Sequence, residues 1–309
     1  MLLEMSQYLN STFKDTINMI SISFNPLLNT SNIINIGSMF ENCYSLTSIN
    51  FSNFDTSKVT KMNKMFENCY SLISINLSKF DTLNVEIMNS MFYNCSSLTS
   101  IDLYNFNTSK VNNMERMFEK CSSIISIDLS NFNTLQVTDM GHMFSHCSSL
   151  VKMNLANFNT PNLIFMDSMF SDCFSLTSIN LSSFDTSNVG TIDFLFYNCY
   201  SLTSIDLSNF NNSKATIFYN MFYGCSSLTS IDLSNFDTSE VTDMDGMFYG
   251  CSRLKYINML NFKNFPRLSS TIVNLFDQNI PPYGTMIANE NLITKLNKNY
   301  IKGWNISIS

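Results

Sequence analysis

All nine cysteines of this 309-residue chain, from Cys43 to Cys251, fall at a constant step of 26 residues. No residue is inserted or lost between copies, so most of the chain is one unit written nine times. A fixed period of this length is the signature of a stacked repeat architecture. Aligned on the cysteine, the unit reads M-F-x-x-C-x-S-L-x-S-I-x-L-S-N-F-[DN]-T-x-x-V-x-x-M-x-x, as in Met221 to Gly246. Ile20 to Ile36 follows the second half of this pattern with one residue missing and reads as a worn N-terminal cap.

Within one copy, Leu98, Ile101 and Leu103 form L-x-x-I-x-L, the strand segment of a leucine-rich repeat. Ile101 and Leu103 alternate inward, leaving Ser100, Asp102 and Tyr104 facing out. Phe106 fills the corner, Thr108, Ser109 and Lys110 turn the chain, and Val111 and Met114 form a second inward pair. The segment from Met117 to Cys121 lacks alternation and reads as a tight turn, with a short helical or 3₁₀ piece expected. A single copy cannot bury so many apolar positions, so stability requires stacked neighbours and capped ends. With strands about 4.8 Å apart, nine copies make a body roughly 40 Å long.

Three parts follow: an N-terminal cap with one degenerate repeat over 1–38, nine repeats over 39–272, and a C-terminal cap over 273–309. The cap abandons the period, carries Pro281, Pro282 and Trp304, and holds a short amphipathic helix in NENLITKLNKNYI. Its apolar residues are expected to cover the open face of the ninth copy.

Charged residues make up only 13% of the chain, about half the usual share, so Ser, Thr and Asn must cover the surface. The net charge of -7 divides into -12 over residues 1–251 and +5 over 252–309. An acidic, amide-rich body argues against nucleic acid, whose phosphates need a basic track. No run of 18 or more apolar residues is long enough to span a bilayer, so no direct membrane insertion is expected.

The blocks MFENCYSLTSINFSNFDTSKVTKM, MFYNCSSLTSIDLYNFNTSKVNNM and MFYGCSSLTSIDLSNFDTSEVTDM resemble the BspA-like leucine-rich-repeat surface proteins of bacteria and parasitic protists. The likeness covers about three quarters of the chain. It implies a right-handed leucine-rich-repeat solenoid with parallel strands, and an adhesin-type role in binding extracellular-matrix, host or neighbouring-cell proteins. It also implies a cell-surface or secreted location. No signal peptide or anchor is visible in the chain, which keeps a cytoplasmic scaffold for protein–protein interaction as the alternative.

The cysteines invite a disulfide or metal reading, but one per repeat at an inward position stacks them with parallel Cβ vectors, which is wrong for a bridge. There is no C-x-x-C pair, so zinc lacks its usual local geometry. They read as small buried hydrophobes. His142 and His146 are the only histidines and fall in columns filled elsewhere by Lys64, Arg116, Asn94 and Lys120, so they read as variable surface positions. No phosphate-loop, dinucleotide, H-E-x-x-H or G-x-S-x-G motif occurs, and neither a catalytic residue nor a cofactor or metal site is expected.

The outward column Asn50, Asn76, Asp102, Asp128, Asn154, Asn180, Asp206, Asp232 and Asn258 is the candidate for ligand contact. Like charges opposed on neighbouring strands cost up to about 1 kcal/mol, so Asp102 beside Asp128 and Asp206 beside Asp232 need compensation. Water, amides, a cation or a basic partner could supply it. Departures from the repeat on an outer face are where specificity is written, and these point to a protein-binding patch at Asp102, Tyr104, Asp128 and Lys152, with Asp206 and Asp232 further along. The asparagines at 53, 105, 131, 157, 209, 235 and 261 read as a turn ladder whose side chains bond to backbone and to each other.

Overall fold

A computed structural model describes residues 7–262 and 274–308. The expected boundary at 272/273 lies outside the described residues. The chain winds into a parallel β-solenoid in which each 26-residue copy makes one turn. One side carries the strand column: β1 (Ser21–Ser23), β2 (Ser48–Asn50), β3 (Ser126–Asp128), β4 (Lys152–Asn154), β5 (Ser230–Asp232), β6 (Tyr256–Met259), β7 (Thr285–Ala288) and β8 (Asn305–Ile308). They pair in parallel as β1–β2, β3–β4 and β5–β6–β7–β8. In the copies between, the same three residues lie on this side without regular ladder bonds.

The opposite side carries the continuous ladder. Parallel bridges link Tyr8, Asn35, Lys61, Ile87, Asn113, Asp139, Phe165, Thr191, Ile217 and Asp243 in one unbroken column. Beyond each bridge, alternate backbone N–H groups donate to the next copy: Ser38 to Asn63, Phe40 to Met65 and Asn42 to Glu67, at 2.8 to 2.9 Å. The intervening N–H groups close turns inside the copy, as Glu41 to Ser38 and Cys43 to Phe40.

This segment is where a short helical or 3₁₀ piece is expected from the sequence, and the structure corrects that expectation. Two positions four residues apart, Ser38 and Asn42 in the first copy, take φ near +60°, and the equivalents recur through Gly246 and Gly250. A left-handed residue at each point stops the i→i−3 pattern from propagating as a helix and turns every second N–H outward to the neighbour.

The core is a set of columns. Phe13, Phe40, Phe66, Phe92, Phe118, Phe144, Phe170, Phe196, Phe222, Phe248 and Phe276 stack face to face, with centroids 5.4 to 5.9 Å apart and planes within 19°. Trp304 closes the column against Phe276 at 6.0 Å, with its Nε1–H donating to the Pro281 carbonyl at 2.9 Å. Beside the rings run the nine buried free cysteines. Each Sγ lies 3.1 to 3.3 Å from the carbonyl oxygen of the phenylalanine one copy back. They are buried as expected, but also hydrogen-bonded, a point the apolar reading omits.

A buried threonine ladder holds the corner. Thr56 Oγ1 donates to the Asp81 carbonyl and accepts the Asp81 N–H, at 2.9 and 2.8 Å. Thr82, Thr108, Thr134, Thr160 and Thr186 repeat both bonds. Asn212 replaces threonine in the next copy and keeps both roles, its Nδ2 donating to the Asp237 carbonyl and its Oδ1 accepting the Asp237 N–H. Outside it, the asparagine column from Asn105 onward donates to backbone carbonyls of the preceding copy, Asn131 to Leu103, Tyr104 and Phe106, while Asn53 donates to the Ser52 hydroxyl. Among the described residues no rung bonds to another side chain of its own column.

Both caps continue the winding. Residues 8–19 supply a further turn edge: Phe13 opens the ring column, Thr16 takes the cysteine place against Cys43 Sγ at 3.2 Å, and Ser11 and Asp15 take the two left-handed positions. The degenerate copy is therefore longer than Ile20 to Ile36. At the other end β7 and β8 extend the strand column, and α1 (Glu290–Lys295) lies within the expected helical stretch. Asn289 caps α1 by accepting the Leu292 N–H, and its Nδ2 donates to the Leu260 and Phe262 carbonyls, ending the asparagine ladder.

Candidate functional site

The strand side presents a flat, exposed face. All six residues singled out in the sequence point outward on it, and Tyr104 is 80% exposed. Lys152 pairs with Ser126 across β3 and β4, and Asp128 with Asn154, so Asp128 and Lys152 sit diagonally on adjacent strands. Asp102 and Tyr104 belong to the copy before. Asp206 and Asp232 lie on another part of the stack, separated from Asp128 by the copies carrying Asn154 and Asn180. The six residues thus form two groups rather than one site.

Each side chain of the Asp/Asn column has a second occupation. Its Oδ1 accepts the backbone N–H two residues on: Tyr104 to Asp102 at 3.0 Å, Ser130 to Asp128 at 3.0 Å, Ser208 to Asp206 at 2.9 Å and Ser234 to Asp232 at 2.8 Å. The amides at 50, 76, 154, 180 and 258 do the same. This Asx turn ends the strand segment and stabilises a carboxylate locally. The Ser130 and Ser208 N–H groups hold the Asp128 and Asp206 carboxyls below their usual range. At Asp232 burial works upward, but the bonds from Ser234 and Asn258 outweigh it and the net direction is down. The compensation that neighbouring aspartates need is therefore supplied in part by the backbone.

The turn edge is the second outward surface, and the one that column reading undervalued. His142 and His146 occupy left-handed positions, and each faces a carboxylate of the following copy: His142 Nε2 to Asp167 Oδ2 and His146 Nδ1 to Asp172 Oδ2, both at 3.4 Å. The column of His146 holds Asn42, Asn68, Asn94, Lys120, His146, Asp172, Asn198, Gly224 and Gly250. Asn, Asp, His and Gly are the residues that tolerate this backbone, so the composition was the available signal. Beside it Arg116 reaches the buried Glu119 at 3.5 Å, and the Lys120 ammonium donates to the Tyr93 hydroxyl at 2.7 Å. Exposed rings stack in register here as well, Tyr44 on Tyr70 and Phe174 on Tyr200, and the half-buried Tyr197 stacks on Tyr223, at 4.8 to 5.1 Å.

Residues 7–126, 114–230 and 166–283 match the family described as "Mycoplasma protein of unknown function, DUF285". The chain belongs to this family. Its repeats are of the BspA-like leucine-rich-repeat kind. No curated protein matches the chain. Among solved structures, it is similar to a leucine-rich-repeat protein of T. pallidum, at 18% identity and a TM-score of 0.38, over 54% of this chain and 69% of that one. It is also similar to a leucine rich cell surface protein of Faecalibacterium prausnitzii, at 19% identity and a TM-score of 0.36, over 94% and 83%. An internalin of Listeria monocytogenes is similar at 11% identity and a TM-score of 0.28, over 91% and 81%.

Among the described residues, no group of three or more His, Cys, Asp or Glu side chains could hold a metal ion, and no helix is long and apolar enough to cross a membrane. Burial pushes the thiols up, that of Cys121 to about 12, away from the thiolate that nucleophilic chemistry requires.

Proposed function

We propose that this chain is a non-catalytic protein-binding module, of adhesin type at a cell surface, that holds extracellular-matrix or host proteins on its strand face. One observation carries the reading: the outward columns of the strands form a long, exposed face on which departures from the repeat cluster at Asp102, Tyr104, Asp128 and Lys152. An array of this kind offers much surface and little chemistry. Tyr104 supplies a large, stiff contact of the type that anchors protein interfaces, and its neighbours supply both signs of charge. Asp206 and Asp232 form a further acidic stretch of the same face. The three parts, cap, nine repeats and cap, act as one body whose ends serve the stack.

Because the aspartates also hold turns, alanine is a poor probe of them. Asp102→Asn and Asp128→Asn keep the Oδ1 acceptor, as Asn50 and Asn76 show, and remove only the charge. Combined with Tyr104→Ala and Lys152→Ser, they should weaken capture of immobilised extracellular-matrix proteins at least tenfold, about 1.4 kcal/mol, while leaving the melting temperature unchanged. Unchanged capture by the quadruple variant rules out this patch. A chain that ignores such proteins and labels only inside intact cells rules out the surface role.

A further inference from the structure

Two ladders on the turn edge break over the same copies. In the left-handed column Asn42 donates to Asp15, Asn68 to Asn42 and Asn94 to Asn68, amide to acceptor at 2.7 to 2.9 Å. Lys120 ends that series by turning its ammonium to Tyr93, and no donor among the described residues reaches the Asn94 side-chain oxygen. The series resumes where Asn198 donates to Asp172 at 2.8 Å. In the adjacent column Tyr44 and Tyr70 are followed by Ser96, Ser122 and Ser148, and only then by Phe174 and Tyr200. Where both are interrupted, a cavity of about 320 Å³ opens.

Its lining is specific. The serines at 96, 122 and 148 leave the room that rings fill at 44, 70, 174 and 200, and Phe174, stacked on Tyr200 at 5.1 Å, lines the end toward Ser148. Lys120, His146 and Asp172 line one side, and Asn94 marks the far end. Asp172 is itself buried, and is held by Asn198 and by the Ser171 hydroxyl at 3.0 Å. Phe174 is thus the one apolar side chain among eight lining residues.

We propose that this cavity binds a neutral linear oligosaccharide lying along the stack. A pyranose offers one face of C–H bonds, which suits the open ring of Phe174, and a rim of hydroxyls, which suits planar amides, an imidazole, a carboxylate and an ammonium. Seven of the eight lining side chains carry a polar tip, yet most of the exposed lining is carbon, a mixture that matches the C–H face and hydroxyl rim of a sugar. Lys120 and Asp172 bring opposite charges to the lining, which favours a neutral ligand over an anionic one. The copies recur along the stack at a spacing of about 5 Å, comparable with the length of one hexose unit, so successive sugars would meet successive copies.

The test uses the full chain and saturation-transfer NMR with chitotetraose, cellotetraose and mannotetraose, each at about 1 mM, where weak saccharide binding is visible. Saturation transfer to at least one is expected, and Ser122→Tyr should abolish it. That variant places in the gap the ring its column carries at Tyr70 and Tyr200, so the fold tolerates it. Phe174→Ser, which extends the serine run by one copy, is the independent variant and should lower affinity at least tenfold. Failure of all three sugars to bind overturns the proposal, as does binding that survives both variants. So does an aromatic peptide that binds the wild type in place of every sugar and is lost in Ser122→Tyr. None of these outcomes bears on the strand-face reading, whose variants replace none of the residues that line this cavity.

Discussion

Cys121 Sγ lies 3.1 Å from the carbonyl oxygen of Phe92, one copy back in the stack, and the same bond recurs for every cysteine of the chain. Each thiol hydrogen is thus held inside the core. Burial raises the Cys121 pKa to about 12 and moves the other thiols the same way.

Alkaline lability follows from the direction of that shift. The folded chain keeps its thiol protons where the unfolded chain loses them, so the stabilisation is complete below a pH of about 8.5 and declines as pH rises toward the folded value. Urea midpoints should fall steadily above pH 9, and Cys121→Ala should make that fall shallower. A thiol reagent should label no cysteine of the native chain and all nine after denaturation.

Thr108 tests the corner ladder. Thr108→Val keeps the shape but leaves the part-buried N–H and carbonyl of Asn133 without their partner, so it should cost about 1 kcal/mol in a urea titration. Thr108→Asn should lose much less, because Asn212 already performs both roles four copies on.

Asn68 tests the left-handed column. Its φ of 62° strains any β-branched residue, so Asn68→Val should destabilise by about 1–2 kcal/mol. Asn68→Gly accepts the backbone, as Gly224 and Gly250 do, but removes the amide bonds with Asn42 and Asn94, so it should destabilise by less than valine does. Circular dichroism melts separate the two.

Trp304 tests the C-terminal seal. Trp304→Ala leaves the Phe276 ring uncovered and should cost about 3–5 kcal/mol locally. Since the array is stabilised copy by copy, hydrogen exchange should accelerate over Thr285–Ala288 and Asn305–Ile308 and remain slow around Cys147.

Asp128 and Asp206 set an acid dependence of the opposite sign. Their carboxyls are held down by backbone N–H groups, so that contribution is present above the unfolded value of about 3.9 and is lost as pH falls through the lower folded value. Asp128→Asn, which keeps the Oδ1 acceptor without the charge, should flatten the loss between pH 4 and 2; Asp128→Ala should lower stability at every pH.

Much of this was legible because the period is exact in number. A step of 26 residues puts chemically equal positions in one column, so the inward set, the cysteine stack and the outward Asp/Asn row could all be read without coordinates. The Asx bonds of that row were also within reach, since Asp or Asn two residues before a turn N–H is a known local pair. The threonine ladder was not, because its partner is 25 residues away and only stacking brings Thr56 to Asp81.

The sequence by itself determined the repeat, its register and which side chains face the core, since alternation and period are properties of the chain. Tertiary structure alone decided where the backbone bonds go. The turn edge looked like a short helical piece because its residues are apolar and unalternating, yet left-handed turns at Ser38 and Asn42 send its N–H groups to the next copy. The cavity between Asn94 and Phe174 was likewise decided in three dimensions. Its walls come from residues 26 apart, and only when copies stack do a missing ring and an interrupted amide series become one space.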